Sequence, residues 1–225
     1  MAKRLPKENP GPHSPDSGMT AGEELGAADR VIILVHGRGT TAESIVGLTD
    51  YLDLPGFHVI APQAHDFTWY PYSFLESMEQ NEPGISSALA TIDTLVDRAM
   101  NAGLESSSIY LLGFSQGACL VTEYAARAAS RSGAHGFRLG AVFGLSGGLI
   151  GPAGTPRDYE GSLKGTPILL GCSDVDMHIP KERVDETAET LSRLGADVDE
   201  QIYPGMGHTV NDDEIARMNA ILSAR

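Results

Sequence analysis

The chain has 225 residues, 41% of them hydrophobic, enough to bury one sizeable core in a single domain of α/β size. Thirty acidic against 16 basic residues give a formal charge of -14, which excludes nucleic-acid backbones and anionic membrane surfaces as natural partners. Two cysteines, Cys119 and Cys172, are too few for a disulfide framework or a thiolate zinc site, and both read as small buried apolar residues.

The first 29 residues hold several Pro, Gly and charged residues but no apolar h-region, and no run of 18 apolar residues occurs anywhere. This predicts a cytoplasmic protein with no secretory signal, spanning helix or stable membrane anchor. Residues 1–17 are expected to be disordered, and the domain to occupy 18–225, with 18–28 adding a short edge strand. Continuous apolar runs come next at VIILVH (31–36), FHVIA (57–61), SIYLLG (108–113), LGAVFGLS (139–146) and TPILLG (166–171), with VDEQIY (198–203) as a further strand. Apolar residues that run on rather than alternate are the mark of central parallel strands. Between them, Ile85, Leu89, Ile92, Val96 and Ala99 step with helical period, as do Val184, Ala188, Leu191 and Leu194, and later Ile215, Met218 and Leu222. The alternation predicts a doubly wound α/β domain: a mostly parallel sheet with helices on both faces.

The stretch 64–82 is long for a loop of such a fold, and Phe67, Trp69, Tyr70, Tyr72 and Phe74 crowd its middle. Ligands of open α/β sheets bind beyond the carboxyl ends of the strands, so Trp69 and Tyr70 are expected to contact substrate. Packing of the loop onto the domain is an equal alternative.

Gly-x-Ser-x-Gly occurs twice, as GFSQG (113–117) and GLSGG (144–148). The pattern marks a nucleophilic serine when a strand ends at its first glycine and a helix starts at once. After GFSQG comes ACLVTEYAARAASR, with Ala118, Val121, Ala125 and Ala128 on one helical face. After GLSGG comes LIGPAGTPRDYEG, where Gly and Pro break any helix. Ser115 is therefore the expected nucleophile, and Ser146 the end of a strand leading into a loop.

A serine hydroxyl needs a base, and the base needs a carboxylate to orient it. His208, in PGMGHTV after the 198–203 strand, is the only histidine beyond that strand. The acid is expected after TPILLG, in GCSDVDMHIP, where spacing leaves Asp174 and Asp176 equally placed. Asp174, Asp176, His178 and His208 would also suit a metal, but a serine triad needs none, so neither metal nor cofactor is expected. The turn in VHGRGT, with Gly37 and Gly39, places the Arg38 N–H as one oxyanion donor and the Gln116 N–H as the other. His36 precedes the elbow and reads as a packing residue that holds this turn. The Arg38 side chain reads as a surface ion pair rather than an anion-binding group.

VHGRG, GFSQGA, GCSDVDMHIP and GMGH, in this order over about residues 30–222, resemble the phospholipase/carboxylesterase and acyl-protein thioesterase group of small α/β-hydrolases. The resemblance implies the α/β-hydrolase fold, Ser115 as nucleophile, His208 as base, and Arg38 and Gln116 at the oxyanion. The group's acid stands four residues before a proline, which implies Asp176 over Asp174 and leaves Asp174 to stabilise the loop. Thr40 stands where thioesterase members carry Asp, and FTWYPYSF replaces their usual text, so the chain looks more like the compact bacterial esterases. Implied is a serine carboxylesterase acting on short- to medium-chain esters as small-molecule substrates. Its rivals are a lysophospholipase or acyl-thioesterase and, in another class, a small-molecule receptor on a hydrolase scaffold. Monomer and homodimer are both compatible with the sequence.

Overall fold

The computed structural model describes residues 3–131, 133 and 136–224. Seven strands form one sheet: β1 (Gly18–Gly22), β2 (Arg30–Val35), β3 (Phe57–Pro62), β4 (Ile109–Phe114), β5 (Ala141–Leu145), β6 (Pro167–Ser173) and β7 (Asp197–Tyr203), in the order β1-β3-β2-β4-β5-β6-β7. Only β1 runs antiparallel, pairing with β3 from Gly18 opposite Pro62 to Gly22 opposite His58. Every apolar run of the sequence is a strand, and the edge strand expected after residue 18 is β1.

The continuous apolar runs are explained by burial on both faces. One face packs against α2 (Gly84–Asn101), α3 (Gln116–Ala128) and α4 (Lys181–Arg193) through Ile33, Leu111 and Leu170. The other packs against α1 (Ala42–Val46) and α5 (Asp212–Ser223) through Ile32, Leu34 and Leu112. This is the doubly wound α/β architecture expected, in one domain. Among the described residues no helix is long and apolar enough to cross a membrane.

The central helix α3 is buried along its whole length, more than the single apolar face of its sequence implies. Its interior polar groups are paired as such burial requires: Glu123 receives the Arg127 guanidinium at 2.8 Å and the Tyr159 hydroxyl at 2.8 Å. Burial opposes ionisation of Glu123, yet the Arg127 and Lys3 charges hold its carboxyl below the usual range.

Residues 3–17 depart from the disorder expected of their Pro- and Gly-rich composition. The Lys3 N–H donates to the Asp158 carbonyl at 2.9 Å, and His13 is buried, its N–H donating to the Ser87 hydroxyl at 2.8 Å. Long-range partners for one histidine and one asparagine, Asn9, anchor this segment, and composition does not register them. The short α1 also escaped the periodicity, because five residues complete little more than one turn; the Thr41 hydroxyl caps it by accepting the Ser44 N–H at 3.1 Å.

Candidate active site

β4 delivers Ser115 to the carboxyl edge of the sheet in a left-handed conformation, φ 54° and ψ -116°, and α3 starts at the next residue. The turn is tight enough to dictate its flanking glycines. A Cβ on Gly113 would stand 2.3 Å from the Gly117 carbonyl, and one on Gly117 would stand 1.9 Å from the Val35 carbonyl oxygen of β2. Neither backbone neighbour can yield, so the pattern is fixed by packing as much as by chemistry. The start of α3 sets the positive end of its dipole beside Ser115.

After β6, Asp176 turns its carboxylate into the protein, where its side chain is fully buried. Its Oδ1 accepts the His178 N–H at 2.8 Å and the Ile179 N–H at 3.1 Å, and its Oδ2 lies 2.7 Å from His208 Nδ1. Burial alone would raise the Asp176 carboxyl, but the His208 ring N–H and the two backbone N–H groups hold it below its usual value. An ionised carboxylate only accepts, so His208 Nδ1 carries the proton and Nε2 is left as the basic nitrogen. The His208 ring packs 4.9 Å from the Phe114 ring and 5.0 Å from that of His178. Asp174 stabilises the neighbouring turn, as expected, with Oδ1 accepting the Gly205 N–H at 2.7 Å. Among the described residues no group of three or more His, Cys, Asp or Glu side chains gathers as for a metal ion.

Ser115 and His208 line one cavity of about 590 Å³, open to solvent, with Tyr70, Phe74, Cys119 and Ile179 as its buried apolar lining. Burial pushes the Cys119 thiol up to about 11, so it lines the cavity as a neutral apolar group. Arg38 and Gln116 both line the cavity, and among the described residues neither N–H has an acceptor. His36 holds the turn as expected: its Nε2 accepts the Ala64 N–H at 3.1 Å, so Nδ1 donates to the Gly37 carbonyl at 2.7 Å. Burial lowers the His36 pKa, keeping the ring neutral in this role.

Three expectations need correction or completion. Trp69 does not reach the cavity: it is fully buried, its indole N–H donates to the His36 carbonyl at 2.9 Å, and its ring sits 5.0 Å from both His13 and His36. An amphipathic ring with its one donor satisfied inside is a packing element, and only Tyr70 of the pair faces the cavity. The Arg38 guanidinium makes no ion pair among the described residues but donates to the Pro71 carbonyl at 2.8 Å and to that of Tyr72. His178, which the sequence offered only as a metal ligand, also lines the cavity, a placement set by the Asp176 turn.

A strand-to-helix serine, an acid–base pair in the loops after later strands and an apolar cleft at the sheet edge define a serine hydrolase of the α/β-hydrolase class. Within it, the chain belongs to the phospholipase/carboxylesterase family, which it matches over residues 23–224. A phospholipase/carboxylesterase from Dyadobacter fermentans superposes with a TM-score of 0.87 at 36% identity, covering 96% of this chain and 99% of that one. Esterase PE8 superposes with a TM-score of 0.73 at 25% identity, covering 92% and 97%. Acyl-protein thioesterase 1 of Gibberella zeae is 29% identical over 155 residues, 66% of this chain and 62% of the fungal protein.

Proposed function

We propose that this protein hydrolyses short- to medium-chain carboxylic esters through an acyl-enzyme on Ser115. The observation that carries the reading is the 2.7 Å contact from His208 Nδ1 to the buried Asp176 carboxylate, in a loop whose histidine shares one cavity with Ser115.

In this mechanism His208 Nε2 takes the Ser115 hydroxyl proton as Oγ attacks the ester carbonyl carbon. The C=O electron pair moves onto oxygen, facing the Arg38 and Gln116 N–H groups and the start of α3. Collapse expels the alcohol, which takes the proton from His208. Water then repeats the sequence on the acyl-enzyme and frees the acid. Asp176 holds the Nδ1–H tautomer and stabilises the imidazolium without taking a proton. No metal and no cofactor has a part in these steps.

The limited buried lining between Tyr70, Phe74, Cys119 and Ile179 supports acyl groups of short to medium length. A second reading, acyl-thioester hydrolysis, draws support from the fungal relative named as an acyl-protein thioesterase. Steady-state kcat/KM on p-nitrophenyl esters from C2 to C12, set beside acyl-CoA thioesters of matched length, separates the two. The esterase reading predicts sustained turnover that declines from C4 to C12. Preference for a long thioester would favour the second reading, and ligand binding without turnover would favour a receptor on this scaffold.

A further inference from the structure

Residues 70–73 of the irregular segment 69–73 form one wall of the cavity, and the segment's backbone is held almost wholly by side chains rather than by a neighbouring strand or helix. Gln116 Oε1 accepts the Trp69 N–H at 2.9 Å, while its Nε2 donates to the Tyr70 carbonyl at 2.9 Å. Arg38 takes the Pro71 and Tyr72 carbonyls. Asn81, fully buried, accepts the Tyr72 N–H at 2.8 Å and donates to the Ser73 carbonyl at 2.8 Å. From the far side, His13 accepts the His65 N–H on Nδ1 at 3.1 Å, so its Nε2–H donates to the Trp69 carbonyl at 2.8 Å. Burial holds the His13 pKa down and keeps that tautomer neutral.

Two of these four side chains belong to Arg38 and Gln116, which line the cavity with Ser115 and whose N–H groups the esterase reading assigns to the oxyanion. The wall bearing Tyr70 and the turn bearing Arg38 are therefore one mechanical unit. A loop with its carbonyls and N–H groups paired to buried or clamped side chains cannot swing outward without leaving them unsatisfied.

Building on the esterase reading of the site, we infer that Gln116, Arg38, Asn81 and His13 are positioning residues that clamp segment 69–73 by its backbone, and that this fixed wall sets the acyl-length limit of the site. The class of substrate excluded is the long-chain ester, whose tail would need the wall to move. Loosening the clamp enlarges the accessible space without touching Ser115, Asp176 or His208.

The test compares wild type with Asn81→Ala, Arg38→Met and Arg38→Lys across the same p-nitrophenyl ester series, with Tm measured in parallel. The expected result is a roughly tenfold rise in the ratio of kcat/KM at C10 to that at C4 for Asn81→Ala and Arg38→Met, carried mainly by KM of the long ester. Arg38→Lys, which keeps one cationic donor, recovers part of the wild-type ratio. An unchanged ratio, or an equal loss at every chain length that merely tracks Tm, overturns the inference while leaving the esterase reading intact. Should Asn81→Ala fail to fold, Arg38→Met at its exposed position decides alone. A wild type that hydrolyses none of the esters overturns the esterase reading and this inference with it.

Discussion

The ends of β4 and β5 carry the same five-residue pattern and the same positive φ at its serine: 54° at Ser115 and 53° at Ser146. Each serine N–H also pairs with the next strand, Ser115 with the Leu145 carbonyl at 2.9 Å and Ser146 with that of Gly171 at 2.7 Å. The two serines differ in the element that succeeds them and in their cover. Ser115 is half-exposed at the start of a 13-residue helix, whereas Ser146 is fully buried, its hydroxyl without an oxygen or nitrogen partner among the described residues, and leads into a loop. The glycines differ too. Those of GFSQG abut backbone, but a Cβ on Gly144 would meet first the Thr122 methyl at 2.9 Å and the Leu170 methyl at 3.1 Å. A strained serine at a strand end is thus a recurrent product of this sheet's packing, and it becomes a candidate nucleophile only where a helix start and a cavity meet it.

The largest effect expected from breaking this comparison is kinetic. Ser115→Ala should lower kcat by about 10³-fold or more with the Tm held or raised, since alanine removes no buried bond. Next in size is packing: Gly113→Ala should cost about 3 kcal/mol or more, read as a loss of Tm, because the Gly117 carbonyl 2.3 Å from its Cβ cannot move aside. The matching Gly144→Ala should cost about 1–2 kcal/mol, as side-chain methyls can give way. Equal losses at both glycines would contradict the distinction between the two strand ends.

An effect of similar size, confined to high pH, concerns the support behind Ser146. Gly171 has no side chain because Glu214 occupies its place: a Cβ there would stand 2.0 Å from Glu214 Oε1. Glu214 closes a capping box with Asn211, and burial pushes its carboxyl from 4.5 up to about 7. A folded state that keeps the proton longer than the unfolded chain is most favoured below the unfolded value, and loses that contribution as pH rises through the folded one. Glu214→Gln, neutral at all pH, should therefore stabilise the protein by about 1–3 kcal/mol at pH 8, with the gain vanishing toward pH 5. Urea midpoints at the two pH values check the sign. Smallest of all is Ser146→Ala, which should alter stability by no more than about 1 kcal/mol and leave kcat within a few-fold, since its hydroxyl has at most the weak Cys172 thiol as a partner among the described residues.

The sheet was legible because five of its strands are buried apolar runs, and the helices because their stripes repeat with period 3.6. The positions of Ser115, Asp176 and His208 were legible because chain order in this fold puts each after a particular strand. Spacing alone did not separate Asp174 from Asp176. In the fold the first reaches the Gly205 N–H and the second reaches His208, a difference of direction that two residues of loop do not encode. Between substrate contact and packing the sequence left Trp69 open for a related reason: the aromatic cluster marks the loop, but which ring turns inward depends on the distant His13 and His36. The clamp by Asn81 and His13 left no local signal at all, because each is a single polar residue whose partner lies far along the chain or across a loop.

The most direct measurement is labelling by a fluorophosphonate probe, with the site located by peptide mass spectrometry, in wild type, Ser115→Ala and Ser146→Ala. The account predicts a phosphonylated Ser115 in wild type and in Ser146→Ala, and no labelling in Ser115→Ala. Labelling that survives in Ser115→Ala and disappears in Ser146→Ala would contradict it.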